Sequence, residues 1–431
     1  MAILEATEAR VGPQSARTVF HAWYVLGVLT LINVLSFMDR VVPYVIAPHV
    51  ARELGLTDTQ IGAIGSVAFT LTYSALGLPL AWCADRYSRK VLIATACFIW
   101  SAFTAAGGLA HNFLQLASSR FGVALGESVL HPAGTSMIAD LFAPARRRFA
   151  LSVFLSGGPL GLVFGLALGG FLADRVGWRE TLLILAAPGV IAALLMLLTV
   201  REPRRGASDA RPDSSMEPVP TVRALVATLI AMPVFRHLLA ASVIFIMAGA
   251  AINGFTAVYL VRTFHVSTSE VGLATGLIFG LGGALGTLLG GALADRLARR
   301  GAAWGLMAPA LALLAAPPFY LAAYHAPSAM AAYLLLGPPS LLITFFLGPV
   351  TATVQSLVAV RARAVTMALL ALAMYGVGAS VGGVLTGVIS DQLKATAGDA
   401  SLGIALSLMS CLYVWCSLHL WKASRWLPPP A

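Results

Sequence analysis

Charge is what this chain has least of. Of its 431 residues only 11% are Asp, Glu, Lys or Arg, against about 25% in soluble proteins. With 58% hydrophobic residues, that scarcity excludes a soluble enzyme with an ordinary polar surface. It leaves a chain that crosses a membrane many times. Cysteine is scarce too. Cys83, Cys97, Cys411 and Cys416 lie in or beside apolar runs with no metal-type spacing. They read as small buried apolar residues outside any disulfide framework. Neither a GxxxxGK phosphate loop nor an HExxH zinc motif occurs, so no ATPase, metal site or cofactor is expected. Gly378-Ala379-Ser380-Val381-Gly382 fits GxSxG, but it sits in a Gly-rich apolar run with no strand before it, which argues against a hydrolase elbow. The first residues lack the apolar core and cleavage site of a signal peptide. Residues 1–21 therefore read as a cytoplasmic tail.

What is abundant is apolar run after apolar run. A membrane helix needs about 20 such residues. Twelve spans follow, near 22–48, 57–84, 90–110, 112–139, 148–174, 179–200, 234–262, 268–294, 302–323, 328–357, 363–391 and 400–421. The one long polar interruption, around Arg201–Arg223, is rich in Pro and Ser and reads as a linker. The expected organisation is a six-span bundle over 22–200, a cytoplasmic linker over 201–233, a second bundle over 234–421 and a tail over 422–431.

The net charge of +10 would suggest nucleic acid in a soluble chain. Its distribution says otherwise. With the N-terminus inside, 21 of the 28 Lys and Arg fall on the inner side and five on the outer, with Arg40 and Arg120 inside spans. That asymmetry is the positive-inside pattern. It predicts cytoplasmic termini in a cell inner membrane, and no nucleic-acid partner.

One short string recurs at four span ends. It reads Trp82-Cys83-Ala84-Asp85-Arg86, Gly170-Phe171-Leu172-Ala173-Asp174-Arg175, Gly291-Ala292-Leu293-Ala294-Asp295-Arg296 and Gly387-Val388-Ile389-Ser390-Asp391. These close spans 2, 5, 8 and 11, so the unit is three helices repeated four times, alternately inverted. Asp85 to Asp295 is 210 residues and Asp174 to Asp391 is 217, so the halves superpose in sequence. Nested inverted repeats place a substrate site where the halves meet.

Asp85-Arg86-Tyr87-Ser88-Arg89-Lys90 and its copy Asp295-Arg296-Leu297-Ala298-Arg299-Arg300 resemble the signature loops of the major facilitator superfamily. Arg120, Gly122, Gly126 and Glu127 resemble its helix 4 signature. The resemblance covers essentially the whole chain. Phe37-Met38-Asp39-Arg40, Tyr73 to Pro79, Gly126-Glu127-Ser128 and Ile138-Ala139-Asp140-Leu141-Phe142 through Arg147 are most similar to the bacterial spinster-like branch. Ala81, Ser128 and His131 depart from its pattern. The resemblance implies an all-α membrane protein with the major facilitator fold, twelve helices in two pseudo-symmetric bundles, and a monomer. It implies transport of lysophospholipids or sphingoid-type lipids.

Charges inside spans are costly and mark substrate or ion pathways. Asp39 lies nine residues before the outer end of span 1 and Arg120 eight after the outer start of span 4, so both are expected ~12–13 Å deep. Glu127 is two turns below Arg120 on the same face, and His131 one turn further. Asp39 and Glu127 are expected to carry a proton, with Arg120 coupling it to substrate and Arg40 opposing the carboxylates. His131 is either a relay or a satisfied structural histidine. A fixed ion-pair network joining spans 1 and 4 is the structural alternative. The second half offers Asn253, Phe255, Tyr259, Thr344 and Phe345 as an apolar, aromatic cavity wall. Asp85, Arg86, Arg89, Asp295, Arg296 and Arg299 are expected to form a conformational latch, bonding across the halves in one state and releasing in the other.

The expected activity is alternating-access transport of a small amphiphile, driven by protons, with the bilayer as the other partner. An organic-anion/proton symporter, with Arg120 or Arg40 holding a carboxylate, remains open. So does a transport-inactive receptor or scaffold, which would not need Asp39, Arg120 and Glu127 in hydrocarbon.

Overall fold

The computed structural model describes residues 16–204, 221–359 and 362–427. Among the described residues the chain is helical throughout and contains no strand. Helices are the fold such a sequence must take, because hydrocarbon offers no partner for an unpaired peptide group. Nine described helices are long and apolar enough to cross a membrane, and one of them, Val365–Ser424, covers both spans 11 and 12. Spans 2 and 4 complete the set as broken helices, Asp58–Gly65 with Thr72–Arg86 and Phe113–Glu127 with Leu130–Leu141.

The breaks repeat between the halves, and proline accounts for one pair. Span 4 opens at Ser128 and Val129, four residues before Pro132. Span 10 opens at Thr344 to Phe346, around the residue four before Pro349. A proline has no N–H for the carbonyl one turn back, so the ladder fails there. Spans 2, 8 and 11 instead carry π-helical turns, at Val67–Leu71, Gly276–Leu281 and Leu372–Ala379.

Several boundaries move. Span 1 begins at Ala16, inside the expected tail, and runs to Leu54. Span 12 continues to Ser424. The expected linker holds a further helix, Val222–Ala231; its residues 205–220 lie outside the described residues, as do residues 1–15 and 428–431 of the expected tails. Cys411 is exposed, contrary to expectation, while Cys97 and Cys416 are buried.

The apolar core is not split evenly. One buried cluster, including Leu26, Trp100, Leu130 and Phe154, is confined to the first six spans. The other runs continuously from Val45, Ile61 and Trp178 in the first half into Phe255, Val271 and Tyr413 in the second. The halves therefore share a core on the side away from the linker. Glycine permits the approach. A Cβ on Gly170 or Gly272 would collide with the carbonyl oxygen of Thr268 or Leu166 in the other half, so spans 5 and 8 touch backbone to backbone.

Candidate transport site

The intramembrane charges meet, in pairs that sequence alone left open. The carboxylate of Glu127 is fully buried and accepts a 2.5 Å bond from Arg40 Nε. Ser36 Oγ donates to the same oxygen at 3.0 Å. The Arg40 guanidinium also lies 4.4 Å from the Tyr73 ring centroid and 4.8 Å from that of Phe37, where the ring faces favour a cation. Arg40 is thus held on one side by charge and on others by aromatic faces. Glu127 owes its position to the proline break, since it is the last residue of Phe113–Glu127.

Arg120 is different. It is 5% exposed and its Nε has no hydrogen-bond partner. Its guanidinium lies over the Phe69 ring at 5.1 Å. The charges of Glu127 and Asp39 both act on it. Yet among the described residues no ion pair joins it to Asp39, the residue expected at its depth. Asp39, 6% exposed, sits in the field of Glu127 and Arg120. Glu127 Oε1 also lacks a partner. Arg120 borders an otherwise largely apolar cavity lined by Tyr44, Ile46, Ile61 and Leu116.

His131 follows the break at Ser128 and Val129 yet stays beside the pair, since Phe37 packs against both its ring and the Arg40 guanidinium. Its ring lies edge-on to Phe154 at 5.5 Å and Phe37 at 6.4 Å, and among the described residues the ring makes no hydrogen bond. The aromatic wall also needs correction. Phe255 and Tyr259 are 1% and 3% exposed and belong to the core of the second half, where Tyr259 donates to the carbonyl of Tyr324. Phe345 is buried, Thr344 half-buried and Asn253 exposed. Residues on the wrong face of a membrane helix cannot be told from lining residues when both faces are apolar.

The hydrogen bonds that join the halves cluster on the side away from the linker. Arg262 grips Asp58 through both Nη atoms, at 2.7 and 2.9 Å. Asp391 accepts from the backbone N–H groups of Asp58 and Thr59. Asp174 accepts from Ser269 N and Oγ, and His49 Nε2 is 3.2 Å from Asp174 and 2.8 Å from Thr268 Oγ1. Two of the four repeated aspartates, Asp174 and Asp391, thus bind the helix N-termini of the opposite half, where exposed N–H groups and the helix dipole favour an anion.

The expected latch lies at the other end. The side chains of Asp85 and Asp295 fall outside the described residues. Arg86, Arg296 and Arg299 are exposed, and Arg86 stacks on Trp82. Arg89 is 1% exposed and pairs with Asp140 at 2.5 Å and Glu202 at 3.0 Å. Its bonds run to Ser136 and Asp140 of the first half and to Glu202 and Pro203 of the linker, so here it ties that half to the linker. Glu202 also accepts from Lys90 N and Ser88 Oγ. Partial burial opposes ionisation of Glu202, but these bonds outweigh it and hold its carboxyl below the usual range. Sequence reasoning missed Asp58, Arg262 and His49. The signal available was a charged residue at a span end facing its counterpart in the other half.

A helical bundle closed at one end around buried charges defines a multi-pass membrane transporter. The family model described as "Major Facilitator Superfamily" matches residues 29–383. The chain is 34% identical over 408 residues to an MFS-type efflux pump of Mycolicibacterium smegmatis, covering 94% of this chain and 92% of that one. Over 186 residues, 42% of this chain and 37% of the other, it is 31% identical to the sphingosine-1-phosphate transporter SPNS2 of Danio rerio. The crystal structure of a bacterial homolog to the human lysosomal transporter Spinster, inward-facing and unoccupied, superposes with a TM-score of 0.85 at 28% identity, over 95% of this chain and 99% of that one. The chain belongs to the major facilitator superfamily, and within it is spinster-like.

Proposed function

We propose that this protein is a proton-coupled transporter of a small amphiphile with an anionic head, of the lysophospholipid or sphingoid type, working by alternating access from a cell inner membrane with both termini cytoplasmic. The buried Arg40–Glu127 pair carries the reading. Protonating Glu127 removes the charge that holds Arg40, which frees a guanidinium and loosens spans 1 and 4 from each other. A proton arriving on Glu127 or Asp39 therefore changes what the two arginines can bind. The closed end, clasped by Asp58, Asp174 and Asp391, corresponds to one end state. The repeated signature loops on the linker side, around Asp85 and Asp295, would latch the other.

Uptake into proteoliposomes under an imposed pH gradient tests this, with a lysophospholipid and a small monocarboxylate offered in parallel. Lysolipid flux that follows the gradient supports the proposal. Carboxylate flux alone moves the protein to the second reading, an organic-anion/proton symporter, which is favoured by Arg120 having an unpartnered Nε beside a cavity. Absence of flux for both under any gradient would revive a receptor or scaffold role.

A further inference from the structure

Away from the transport site, the linker-side ends of spans 7 and 12 form a surface of unusual charge. Residues 221–264 and 401–427 contain no Asp or Glu, yet the linker-side ends of spans 7 and 12 carry Arg236, Lys422 and Arg425, and the helix Val222–Ala231 before span 7 carries Arg223. Arg236 and Lys422 are exposed. Between them sit two half-buried histidines, His237 on span 7 and His419 on span 12, whose Nδ1 atoms are 3.0 Å apart. Lys422 acts on both rings, Arg236 also on His237 and His237 also on His419, and all of these influences are positive. Because each ring faces the other through Nδ1, each Nε2 is left on the far edge. Among the described residues neither Nε2 has a hydrogen-bond partner.

Below this cluster one face of span 12 is bare. Leu408, Trp415 and Leu418 are each about half exposed, and Trp415 lies 6.0 Å from His419. The spacing places them on one helical stripe that ends at Lys422. Trp421 and Trp426 are exposed beside it, and Arg425 stacks on Trp421 at 3.7 Å. Tryptophan and Arg or Lys together mark the headgroup level of a bilayer. The stripe thus offers an apolar track for an acyl chain, with cations and imidazole at the depth of its phosphate.

We infer that this surface binds the phosphate of an anionic phospholipid from the leaflet on the linker side. Charge complementarity selects the occupant. Four cations with no carboxylate on their own helices need a counter-ion, and anionic headgroups supply one at that depth. A zwitterionic lipid brings no net charge. The histidine pair adds direction, since the ring whose Nδ1 accepts carries its proton on Nε2 and can donate it to the headgroup. This site is separate from the buried charges of spans 1 and 4 and does not depend on what is transported.

Native mass spectrometry of the delipidated full-length protein would test it, with phosphatidylglycerol and phosphatidylcholine as probes. Phosphatidylglycerol is expected to bind at least tenfold tighter. The double variant Arg236→Gln/Lys422→Gln should bring it to the phosphatidylcholine level, and His237→Gln/His419→Gln should weaken it at least threefold. Arg300→Gln, an exposed arginine of another linker-side loop, should leave it unchanged. Equal binding of the two lipids, or an equal loss in Arg300→Gln, would overturn the inference. A thermal melt of each variant without lipid checks folding. If the double variant melts early, Lys422→Gln alone, on an exposed side chain, must still show the loss.

Discussion

Arg262, near the end of span 7, holds Asp58, at the start of span 2, with two guanidinium nitrogens. Ser390 of span 11 bonds the same carboxylate at 2.7 Å. Three helices from both halves thus converge on one buried carboxylate, 2% exposed, at the end of the molecule away from the linker. It is a strong tie between the halves, because bidentate Arg–carboxylate bonds combine charge with fixed geometry.

Asp58→Asn removes that charge while keeping the shape. Charged hydrogen bonds contribute about 1.5–3 kcal/mol, so a loss of about 2 kcal/mol should shift the conformers about 30-fold toward the state open at this end. Spin-label distances between the ends of spans 2 and 7 would show the longer population growing. An unchanged distribution would mean the packed glycines, not the ion pair, hold the end shut.

Gly170→Ala probes those glycines. Its Cβ would meet the carbonyl of Thr268, and the contact exists only while the two halves are closed. The variant should fold normally, favour the same open state as Asp58→Asn, and lower turnover without altering substrate affinity in the open state. Cysteine accessibility along spans 5 and 8 reads this out.

Glu127→Gln deletes the titrating group while retaining a hydrogen-bond acceptor for Ser36 and Arg40. Transport should lose its dependence on pH while the protein still melts as a folded species. A pH profile that tracks the wild type would remove Glu127 from the proton path and leave Asp39 to carry it.

Arg120→Gln keeps a polar side chain, though a shorter one, and removes the cation beside the cavity. If the substrate carries an anionic head, KM should rise at least tenfold, while Arg40→Gln should act mainly on the pH profile. Equal effects of the two variants would show that the arginines share the head.

The brace on the linker side has its own pH signature. Glu202 is held below the ordinary carboxylate range, so it adds stability above its unfolded pKa of about 4.3. That contribution is lost as pH falls through the depressed folded value. Arg89→Met removes the cation from Asp140 and Glu202 and should cost about 3 kcal/mol. A melting series from pH 7 to pH 3 should show the wild type approaching the variant only at the acid end.

Much of this protein was determined by its sequence alone. The length of the apolar runs dictates helices that cross the bilayer, because hydrocarbon leaves no other way to satisfy the backbone. The repeated Asp at the ends of spans 2, 5, 8 and 11 dictated the threefold unit. Asp39, Arg40, Arg120 and Glu127 stood out because charge in hydrocarbon is too costly to be incidental. Which of them pair was decided only by tertiary structure. Asp39 and Arg40 are adjacent in sequence and point about 100° apart on a helix, so the rotation of span 1 against span 4 chose Arg40 for Glu127. Only the packing set His131 against Phe37 and Phe154. Phe255 and Tyr259 could be assigned to core or cavity only once the helices were packed, since both faces of their span are apolar. The clasp of Asp58, Arg262 and His49 was invisible for a related reason. These residues lie at span ends, where charge is cheap, and only the closing of one half on the other gave them partners.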